Sequence, residues 1–321
     1  MPRTIGLLGG GQLGQMLCEA ANPLGVKVVI LESGDTSPAK QVNNKNPHID
    51  GSFTDAAKIR QLAEQVDIIT VEIEHVDTYI LEEIAKEGKV EVQPSWKTLR
   101  TIQDKYLQKS HLHKNGVKTA VSSAVEENGS LDVVGQELGF PFMLKARKDA
   151  YDGRGNFPIK SPKDFEEALQ TLKGRSLYAE KWANFKMELA VMVVKTQNDP
   201  AENGEGTIAY PAVETIHEDS ICKLVYCPPR GVSEKLQKQA QALARKATGS
   251  FWGKGVFGVE MFLMGNGELL VNVSPRMSTS RCCRLTYRRK SHQEVTTPGT
   301  TQSKLVQQCH NTNHTSYPSS T

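Results

Sequence analysis

Two hydrophobic periods alternate along the first 115 residues of the chain. Short apolar runs predict buried strands, and apolar residues spaced three and four apart predict helices between them. The predicted strands are residues 4–8, 27–31 and 66–72. The predicted helices are a stretch that ends at residue 21, residues 55–65 and residues 78–86. Because strands alternate with helices, we expect a Rossmann-like parallel sheet with helices on both faces.

The pattern changes near residue 115. Residues 96–114 predict one long polar helix, and Asn115-Gly116 after it marks a domain boundary. The following strands are interrupted by few helices, which is typical of an antiparallel α+β domain. Its predicted strands are residues 142–146, 177–180, 186–196 and an extended stretch at 207–226, and its predicted helices are residues 163–172 and 233–247.

The strongest turn signal lies near residue 266. Apolar runs at 255–264 and 268–273 flank Gly265-Asn266-Gly267, and Asn-Gly favours a two-residue hairpin loop. Such a loop places Glu260 directly opposite Val273 on the facing strand.

Length and composition indicate an ordinary globular protein. A chain of 321 residues with 38% hydrophobic content can bury the cores of two or three domains. No apolar run approaches the roughly 18 residues of a membrane span, and no signal peptide precedes the first strand, so we expect a cytoplasmic protein without a membrane partner. The six cysteines lack C-x-x-C spacing, which favours plain thiols over a metal site.

The positive charge is concentrated at the end of the chain. The net charge is +3, but residues 277–321 hold six Lys or Arg against one acid, so the first 276 residues carry −2. That balance argues against a nucleic-acid partner. Because the same segment holds nine Thr, seven Ser and only four aliphatic residues, we expect it to be disordered.

A glycine-rich loop follows the first strand. Gly9-x-Gly11-x-x-Gly14 opens a helix, and Glu32 ends the next strand. This arrangement fits a dinucleotide site, in which the acid binds a ribose. The same loop before a helix also suits another phosphorylated small molecule, or serves structure alone.

A second glycine-rich loop follows the strand that ends at Lys145. The loop Tyr151-Asp-Gly-Arg154-Gly155 lets backbone N–H groups turn toward an anion, while Lys145 and Arg154 supply positive charge. Lys105, on the helix before the domain boundary, would complete a cationic pair. The alternative is a hairpin turn with solvated charges and surface lysines.

Two further segments carry polar groups at strand positions. Residues 180–183, Glu-Lys-Trp-Ala, suit an adenine edge and a ribose, and Glu188 follows on the next strand. Exposed strand glutamates are the alternative. Glu260 interrupts a hydrophobic strand, so its carboxylate should face a cation or a cleft. A magnesium-nucleotide site on a hairpin would take a second carboxylate from the facing strand, where this chain has Val273.

Together these segments resemble the ATP-grasp superfamily and, within it, the carboxyaminoimidazole ribonucleotide synthetases of purine biosynthesis, including the synthetase part of the fungal phosphoribosylaminoimidazole carboxylases. The resemblance covers roughly residues 4–276, and Tyr151-Asp-Gly-Arg-Gly155 is its most discriminating motif. The other matching segments are Gly9-Gly-Gly-Gln-Leu-Gly14-Gln-Met16, Asp104-Lys105, Leu144-Lys145, Glu180-Lys-Trp182, Glu188, Tyr210-Pro211, His217-Glu218, Gly258-Val-Glu260 and Leu269-Leu-Val-Asn272.

The resemblance implies an ATP-dependent, ADP-forming ligase. Bicarbonate is phosphorylated to carboxyphosphate, which carboxylates the amine of 5-aminoimidazole ribonucleotide, and ATP and Mg²⁺ are required. The implied ATP-binding residues are Lys105, Lys145, Glu180, Lys181, Trp182, Ala183, Glu188, His217 and Asn272. The implied substrate-binding residues are Gly11, Gln12, Leu13, Glu74, Tyr151, Asp152 and Arg154, with the first glycine loop holding the 5′-phosphate. Glu260 is the implied magnesium ligand, and Arg154 and Lys145 are the implied catalytic residues.

The chain departs from the family pattern after Asn272. The family continues with a second acidic metal ligand, a His-Asn-Ser-Gly-His segment and a third domain, whereas this chain continues Val273-Ser-Pro-Arg-Met277 and then matches nothing in the family. Translation of a wrong frame or an unspliced intron explains the tail better than an inactive truncated relative does. In either case we expect weak turnover or none.

The sequence therefore predicts three parts. They are a preATP-grasp α/β domain at 1–115, an incomplete ATP-grasp domain at 116–276 and a disordered tail at 277–321. An NAD-dependent oxidoreductase and a nucleotide-binding pseudoenzyme are the alternatives. The sequence leaves open whether the chain forms a homodimer and whether the intact product carries a fused decarboxylase.

Overall fold

Three sheets organise the part of the chain that the structure describes. The computed structural model describes residues 3–43, 47–126, 130–149, 155–218 and 221–277, with the side chains of residues 221 and 272–277 excepted. Within that part of the chain, the first sheet is parallel and the other two are antiparallel. No helix in those ranges is both long enough and apolar enough to cross a membrane.

The first sheet has the strand order β3-β2-β1-β4-β5. Its strands are β1 (Thr4–Leu8), β2 (Lys27–Glu32), β3 (Ile49–Asp50), β4 (Ile68–Val71) and β5 (Glu91–Val92). All four pairings are parallel, because a helix carries the chain back between most successive strands. Both faces are covered by apolar clusters, which include Leu8 and Ile69 on one side and Leu7 and Ile30 on the other. The Rossmann-like prediction is confirmed.

Six helices accompany this sheet. They are α1 (Gln12–Ala21), α2 (Pro38–Val42), α3 (Ala56–Ala63), α4 (Thr78–Glu87), α5 (Trp96–Gln103) and α6 (Lys105–Lys114). The predicted single helix at 96–114 is wrong, since the chain is extended at Asp104 (φ −101°, ψ 106°). The Asp104 carboxylate accepts the N–H groups of Tyr106 and Leu107 and so starts a new helix.

A four-stranded antiparallel sheet follows, in the order β6-β9-β7-β8. Its strands are β6 (Ser122–Val125), β7 (Phe142–Ala146), β8 (Asn156–Ile159) and β9 (Leu177–Lys181), and its helices are α7 (Leu131–Leu138) and α8 (Phe165–Thr171). Phe142, Leu144 and Ala179 lie in the apolar cluster of this unit. Because side chains alternate along a strand, Lys145 and Glu180 lie on the opposite face.

The third sheet has the order β13-β12-β10-β14-β15, with β11 paired to β10. Its strands are β10 (Phe185–Lys195), β11 (Thr207–Ala209), β12 (Val213–Glu218), β13 (Ile221–Tyr226), β14 (Gly255–Met264) and β15 (Leu269–Met277), and helix α9 (Glu234–Gly249) packs on it. Leu189, Val191 and Val259 face α9 and are fully buried. The other face carries Glu188 and Glu260.

The β14–β15 hairpin pairs Glu260 with Val273, as predicted, although its predicted two-residue loop is wrong. The Met264 N–H donates to the Glu268 carbonyl, so residues 265–267 form a three-residue loop. Gly267 closes it at φ +84°, a conformation that favours glycine. The pairing survives because the register shifts between Met261 and Glu260, where Asn272 is one extra residue on β15.

Candidate functional site

The polar face of the four-stranded sheet gathers three side chains from two adjacent strands. Lys145 on β7 pairs with Tyr178 on β9, and Met143 pairs with Glu180. Side chains of directly paired residues project to the same face, so Lys145, Tyr178 and Glu180 are neighbours there.

Glu180 is the centre of a buried charge cluster, which we define as Glu180, Lys145, Lys109 and Tyr178. Lys145 Nζ lies 3.0 Å from Glu180 Oε2, and Lys109 Nζ lies 3.2 Å from Glu180 Oε1. The Tyr178 hydroxyl donates to Oε1 at 2.8 Å. The Glu180 carboxylate therefore faces two ammonium groups, and the cluster carries a net positive charge.

Burial and ion pairing act in opposite directions on this carboxylate. Burial alone would raise the pKa of Glu180, but Lys145, Lys109 and the Tyr178 hydroxyl outweigh it and lower the pKa to about 2. Burial lowers the pKa of Lys109, with Glu180 opposing that change. Burial also raises the pKa of Tyr178 well above its ordinary value, so its hydroxyl stays a proton donor. Glu180 is thus ionised throughout the physiological pH range.

Lys105 lies at the start of α6, one helical turn before Lys109. Its Nζ is 3.5 Å from Glu74 Oε1, and both side chains are largely buried. The backbone N–H of Lys105 donates to the carbonyl of Arg147, two residues after Lys145. The two predicted phosphate-binding lysines are therefore connected through the backbone, while their side chains contact different carboxylates.

Arg147 fixes this connection with a second set of contacts. Its Nε and Nη2 donate to both Asp104 oxygens at 2.7–3.1 Å. Its guanidinium also lies 5.3 Å from the ring centre of Tyr106. A bidentate pair of this kind restrains orientation as well as distance, so it holds the start of α6 against the end of β7.

The third sheet supplies a second group of polar side chains on its face away from α9. Glu188 Oε2 contacts His217 Nδ1 across β10 and β12. Glu188 pairs with Phe262, and Ala190 pairs with Glu260, which puts both glutamates on one face at diagonal positions. The predicted ATP-binding residues Glu188 and His217 are therefore brought together, with Glu260 on the neighbouring strand.

Glu260 is the predicted metal ligand. Within the described ranges, no three His, Cys, Asp or Glu residues form a group that could hold a metal ion, and the partner of Glu260 on β15 is Val273. Mg²⁺ is often held by one or two carboxylates together with substrate phosphates. The donor set fits a magnesium ion shared between Glu260 and a nucleotide, and does not fit one held by protein ligands alone.

The segment between β9 and β10 joins the two polar faces. Lys181 ends β9 and its N–H donates to the Val121 carbonyl. Trp182 is 44% exposed and Ala183 is half-buried. These three predicted ATP-binding residues therefore lie where the chain passes from the charge cluster to the strand that carries Glu188.

The first glycine loop is already occupied by side chains of the protein. The Gly11 N–H donates to Glu72 at 2.5 Å, the Leu13 N–H donates to Glu72 at 3.0 Å, and the Gly10 N–H donates to Glu32 at 2.8 Å. A Cβ on Gly11 would lie 2.6 Å from Glu72 Oε1, so glycine is needed there for the carboxylate. A phosphate on these amides, as predicted for the substrate, does not fit while Glu72 holds them. Glu32 is likewise engaged, which disfavours the dinucleotide alternative.

Several predicted residues lie outside the described part of the chain. They are Tyr151, Asp152 and Arg154, the side chain of Asn272, and the predicted disordered tail from residue 278 onward. Among the remaining substrate-binding candidates, Gln12 is exposed at the first turn of α1, and Glu74 is buried beside Lys105.

Sequence reasoning missed four residues of this region: Lys109, Tyr178, Arg147 and Glu72. Lys109 could have been found, because it follows Lys105 by four residues on a predicted helix and so shares its face. Tyr178 could also have been found, because it lies two residues before Glu180 on the predicted strand and so lies on the same face. Arg147 and Glu72 gave no comparable signal, since their partners are far away in the sequence.

Two family models match most of the chain. A profile described as "Ribonucleotide synthetase preATP-grasp domain" matches residues 2–103, and one described as "ATP-grasp domain" matches residues 110–286, more than half of the chain. The chain belongs to the ATP-grasp family. The ATP-grasp fold accounts for the two antiparallel sheets, and the preATP-grasp domain accounts for the parallel one.

The similar ATP-grasp proteins include fungal enzymes. The phosphoribosylaminoimidazole carboxylase of Ogataea methanolica is 53% identical over 87% of this chain and 50% of its own length. A carboxyaminoimidazole ribonucleotide synthase from Aspergillus clavatus, crystallised with ATP, is 52% identical with a TM-score of 0.79, over 85% of this chain and 69% of that one. A further A. clavatus structure, with ADP and 5-aminoimidazole ribonucleotide, is 50% identical with a TM-score of 0.78, over 86% and 70%. The chain spans about half the length of the curated fungal relatives that it matches.

Proposed function

We propose that this chain is an ATP-dependent ligase that carboxylates 5-aminoimidazole ribonucleotide with bicarbonate in purine biosynthesis. The observation that carries the proposal is the buried Glu180 carboxylate with Lys145 and Lys109. This positively charged cluster is joined by residues 181–184 to the strand that bears Glu188. The A. clavatus relatives were crystallised with ATP and with ADP plus the ribonucleotide, which supports this choice of substrates.

The proposed ATP site runs along both polar faces. Lys145 and Lys105 would neutralise phosphate charge, and Glu188 with His217 would hold the ribose. The adenine would lie against the segment of Glu180, Lys181, Trp182 and Ala183, and Asn272 would complete the site from β15. A cluster with excess positive charge attracts a polyphosphate before any specific contact forms.

The proposed reaction has two steps. A bicarbonate oxygen attacks the γ-phosphorus of ATP, the bond to ADP breaks, and carboxyphosphate forms. The amine of the ribonucleotide then attacks the carboxyl carbon, the bond to phosphate breaks, and the amine loses a proton. Lys145 and Arg154 would offset the charge of the transferring phosphoryl group. Gln12, Glu74, Tyr151 and Asp152 would position the ribonucleotide, in a cleft that excludes water from carboxyphosphate.

Magnesium would act at Glu260. When bound, the ion neutralises charge on the β- and γ-phosphates. Glu260 would contribute one carboxylate, and the strand position that faces it would contribute none because it is Val273. We therefore expect weak magnesium-nucleotide binding and slow turnover in this chain.

The test is phosphate release from the purified chain with ATP, Mg²⁺, bicarbonate and 5-aminoimidazole ribonucleotide. We expect slow release that requires the ribonucleotide and disappears in Glu260→Gln, the matched variant with nearly the same shape. Release as fast as that of the A. clavatus synthase would contradict the expected impairment. Release that is unchanged in Glu260→Gln would contradict the metal assignment.

A nucleotide-binding pseudoenzyme is the second candidate, and the Glu260–Val273 pair is the observation that favours it. It predicts that ATP raises the unfolding temperature while no ribonucleotide-dependent phosphate release occurs at any substrate concentration. Cytoplasmic location, the absence of nucleic-acid and membrane partners, and a homodimer remain predictions. A lyase or decarboxylase activity would require a further module, and we do not assign it to residues 1–277.

A further inference from the structure

Lys109 is a buried lysine of the charge cluster to which the proposed reaction assigns no contact with ATP or with the ribonucleotide. Its side chain is 6% exposed, against 19% for Lys145 and 13% for Lys105. Burying an ammonium group is costly unless an opposite charge compensates it. Its 3.2 Å contact with Glu180 supplies that charge, so Lys109 and Glu180 depend on each other.

The two oxygens of Glu180 have different partners. Oε1 is held by Lys109 and by the Tyr178 hydroxyl, both buried. Oε2 is held by Lys145, the more exposed of the two lysines. The charged and titratable groups that face Glu180 are Lys109 from α6, Lys145 from β7 and Tyr178 from its own strand, while β6 contributes Ser122 by pairing.

A nucleotide at this site would compete for Lys145. Lys145 can turn its ammonium toward a phosphate, because its side chain is 19% exposed, and Glu180 Oε2 then loses its cation. A buried carboxylate without a cation tends to take up a proton. Lys109 is less able to follow Lys145, since its side chain is only 6% exposed.

We propose that Lys109 is a positioning residue for nucleotide binding, whose fixed ammonium keeps Glu180 ionised and oriented after Lys145 has turned to the nucleotide phosphate. The proposal rests on the proposed function, in that it takes the nucleotide to bind at this cluster. In this arrangement Lys145 is the transferable cation and Lys109 the permanent one. Lys109 itself does not touch the nucleotide.

The test compares Lys109→Met with Lys109→Arg, and uses Lys114→Met as the matched control. Lys114 is an exposed lysine at the end of the same helix, so the control makes the same chemical change on α6 outside the cluster. The Kd for ATP with Mg²⁺ is measured by calorimetry from pH 5.5 to 8.5, and each variant is compared with the unmodified chain at the same pH. Protonation of the nucleotide changes the Kd of all the proteins alike, so its effect largely cancels in this comparison.

We expect Lys109→Met to bind ATP about tenfold more weakly at pH 8.5, a conservative figure for breaking a buried ion pair. Its deficit should shrink as the pH falls, by up to about tenfold per pH unit, because Glu180 of this variant takes up a proton when Lys145 leaves it for the nucleotide. Lys109→Arg keeps the positive charge, so any deficit in its ATP affinity should not vary with pH. Lys114→Met should bind ATP with the same Kd as the unmodified chain. A merely structural role would lower the unfolding temperature and leave the pH dependence unchanged.

Two results separate failure of this inference from failure of the proposed function. If the unmodified chain binds no ATP, the proposed function fails. If the unmodified chain binds ATP and the deficit of Lys109→Met is the same at every pH, the role of Lys109 is refuted. Should Lys109→Met not fold, Lys109→Gln keeps a hydrogen-bond donor without the charge and must show the same pH-dependent deficit.

Discussion

Replacing Glu180 by glutamine removes the carboxylate at the centre of the charge cluster and keeps the shape of the side chain. Glu180 is 4% exposed, and its pKa is lowered from 4.5 to about 2. A pKa difference of one is worth about 1.4 kcal/mol, so the ionised form contributes about 3 kcal/mol to the free energy of unfolding at neutral pH. Glu180→Gln should lose roughly that amount, because Lys145 and Lys109 also lose their shared partner.

The lowered pKa of Glu180 also fixes how the stability difference between the two proteins changes with pH. Since the folded pKa lies below the unfolded one, the contribution is complete above about pH 4.5 and is lost as the pH falls toward 2. Urea unfolding at pH 7, 5, 4 and 3.5 should therefore show a constant difference between the two proteins at pH 7 and 5, which then shrinks at pH 4 and 3.5. The control is Glu234→Gln at an exposed position of α9, which removes only a surface pair with Lys238 and should change stability little. A Glu180→Gln deficit that is absent at pH 7, or equally large at pH 3.5, would refute the reasoning.

Three further substitutions test other parts of the site. Val273→Glu places a second carboxylate opposite Glu260, and should lower the magnesium concentration for half-maximal phosphate release by at least about tenfold. That is the lower end of the effect seen for residues that only support a metal ligand, so a direct ligand should do at least as much. An unchanged magnesium dependence would contradict the one-carboxylate site. Arg147→Lys loses the bidentate contact with Asp104 and should cost about 1.5–3 kcal/mol in urea unfolding, whereas equal stability would show that α6 does not depend on this pair. Glu72→Ala frees the N–H groups of the first glycine loop, so inorganic phosphate should raise the unfolding temperature of this variant and not that of the unmodified chain; equal shifts in both would show that Glu72 does not exclude phosphate.

Hydrophobic periodicity was sufficient to predict most strands and helices, because burial of one face of an element depends on residues close together in the chain. The parallel first sheet and the antiparallel second domain followed from the order of those elements. Motif spacing identified Lys145, Glu180 and Glu188 as candidates, and the structure places them on polar faces of two adjoining sheets. The opposition of Glu260 and Val273 also followed from counting along one hairpin, although a three-residue loop and a bulge at Asn272 together produce it.

Contacts between distant segments were decided only by the tertiary structure. The helix predicted at 96–114 is divided at Asp104, whose carboxylate starts α6 and is also bound by Arg147, 43 residues away. The first glycine loop carries a phosphate-binding pattern, yet its amides are held by Glu72 from a different strand. Lys109 is a polar helix residue in the sequence and a buried counter-ion of Glu180 in the fold. In each case the partner is brought close by packing of separate elements, and local sequence patterns carry no information about which distant charge will lie within contact distance.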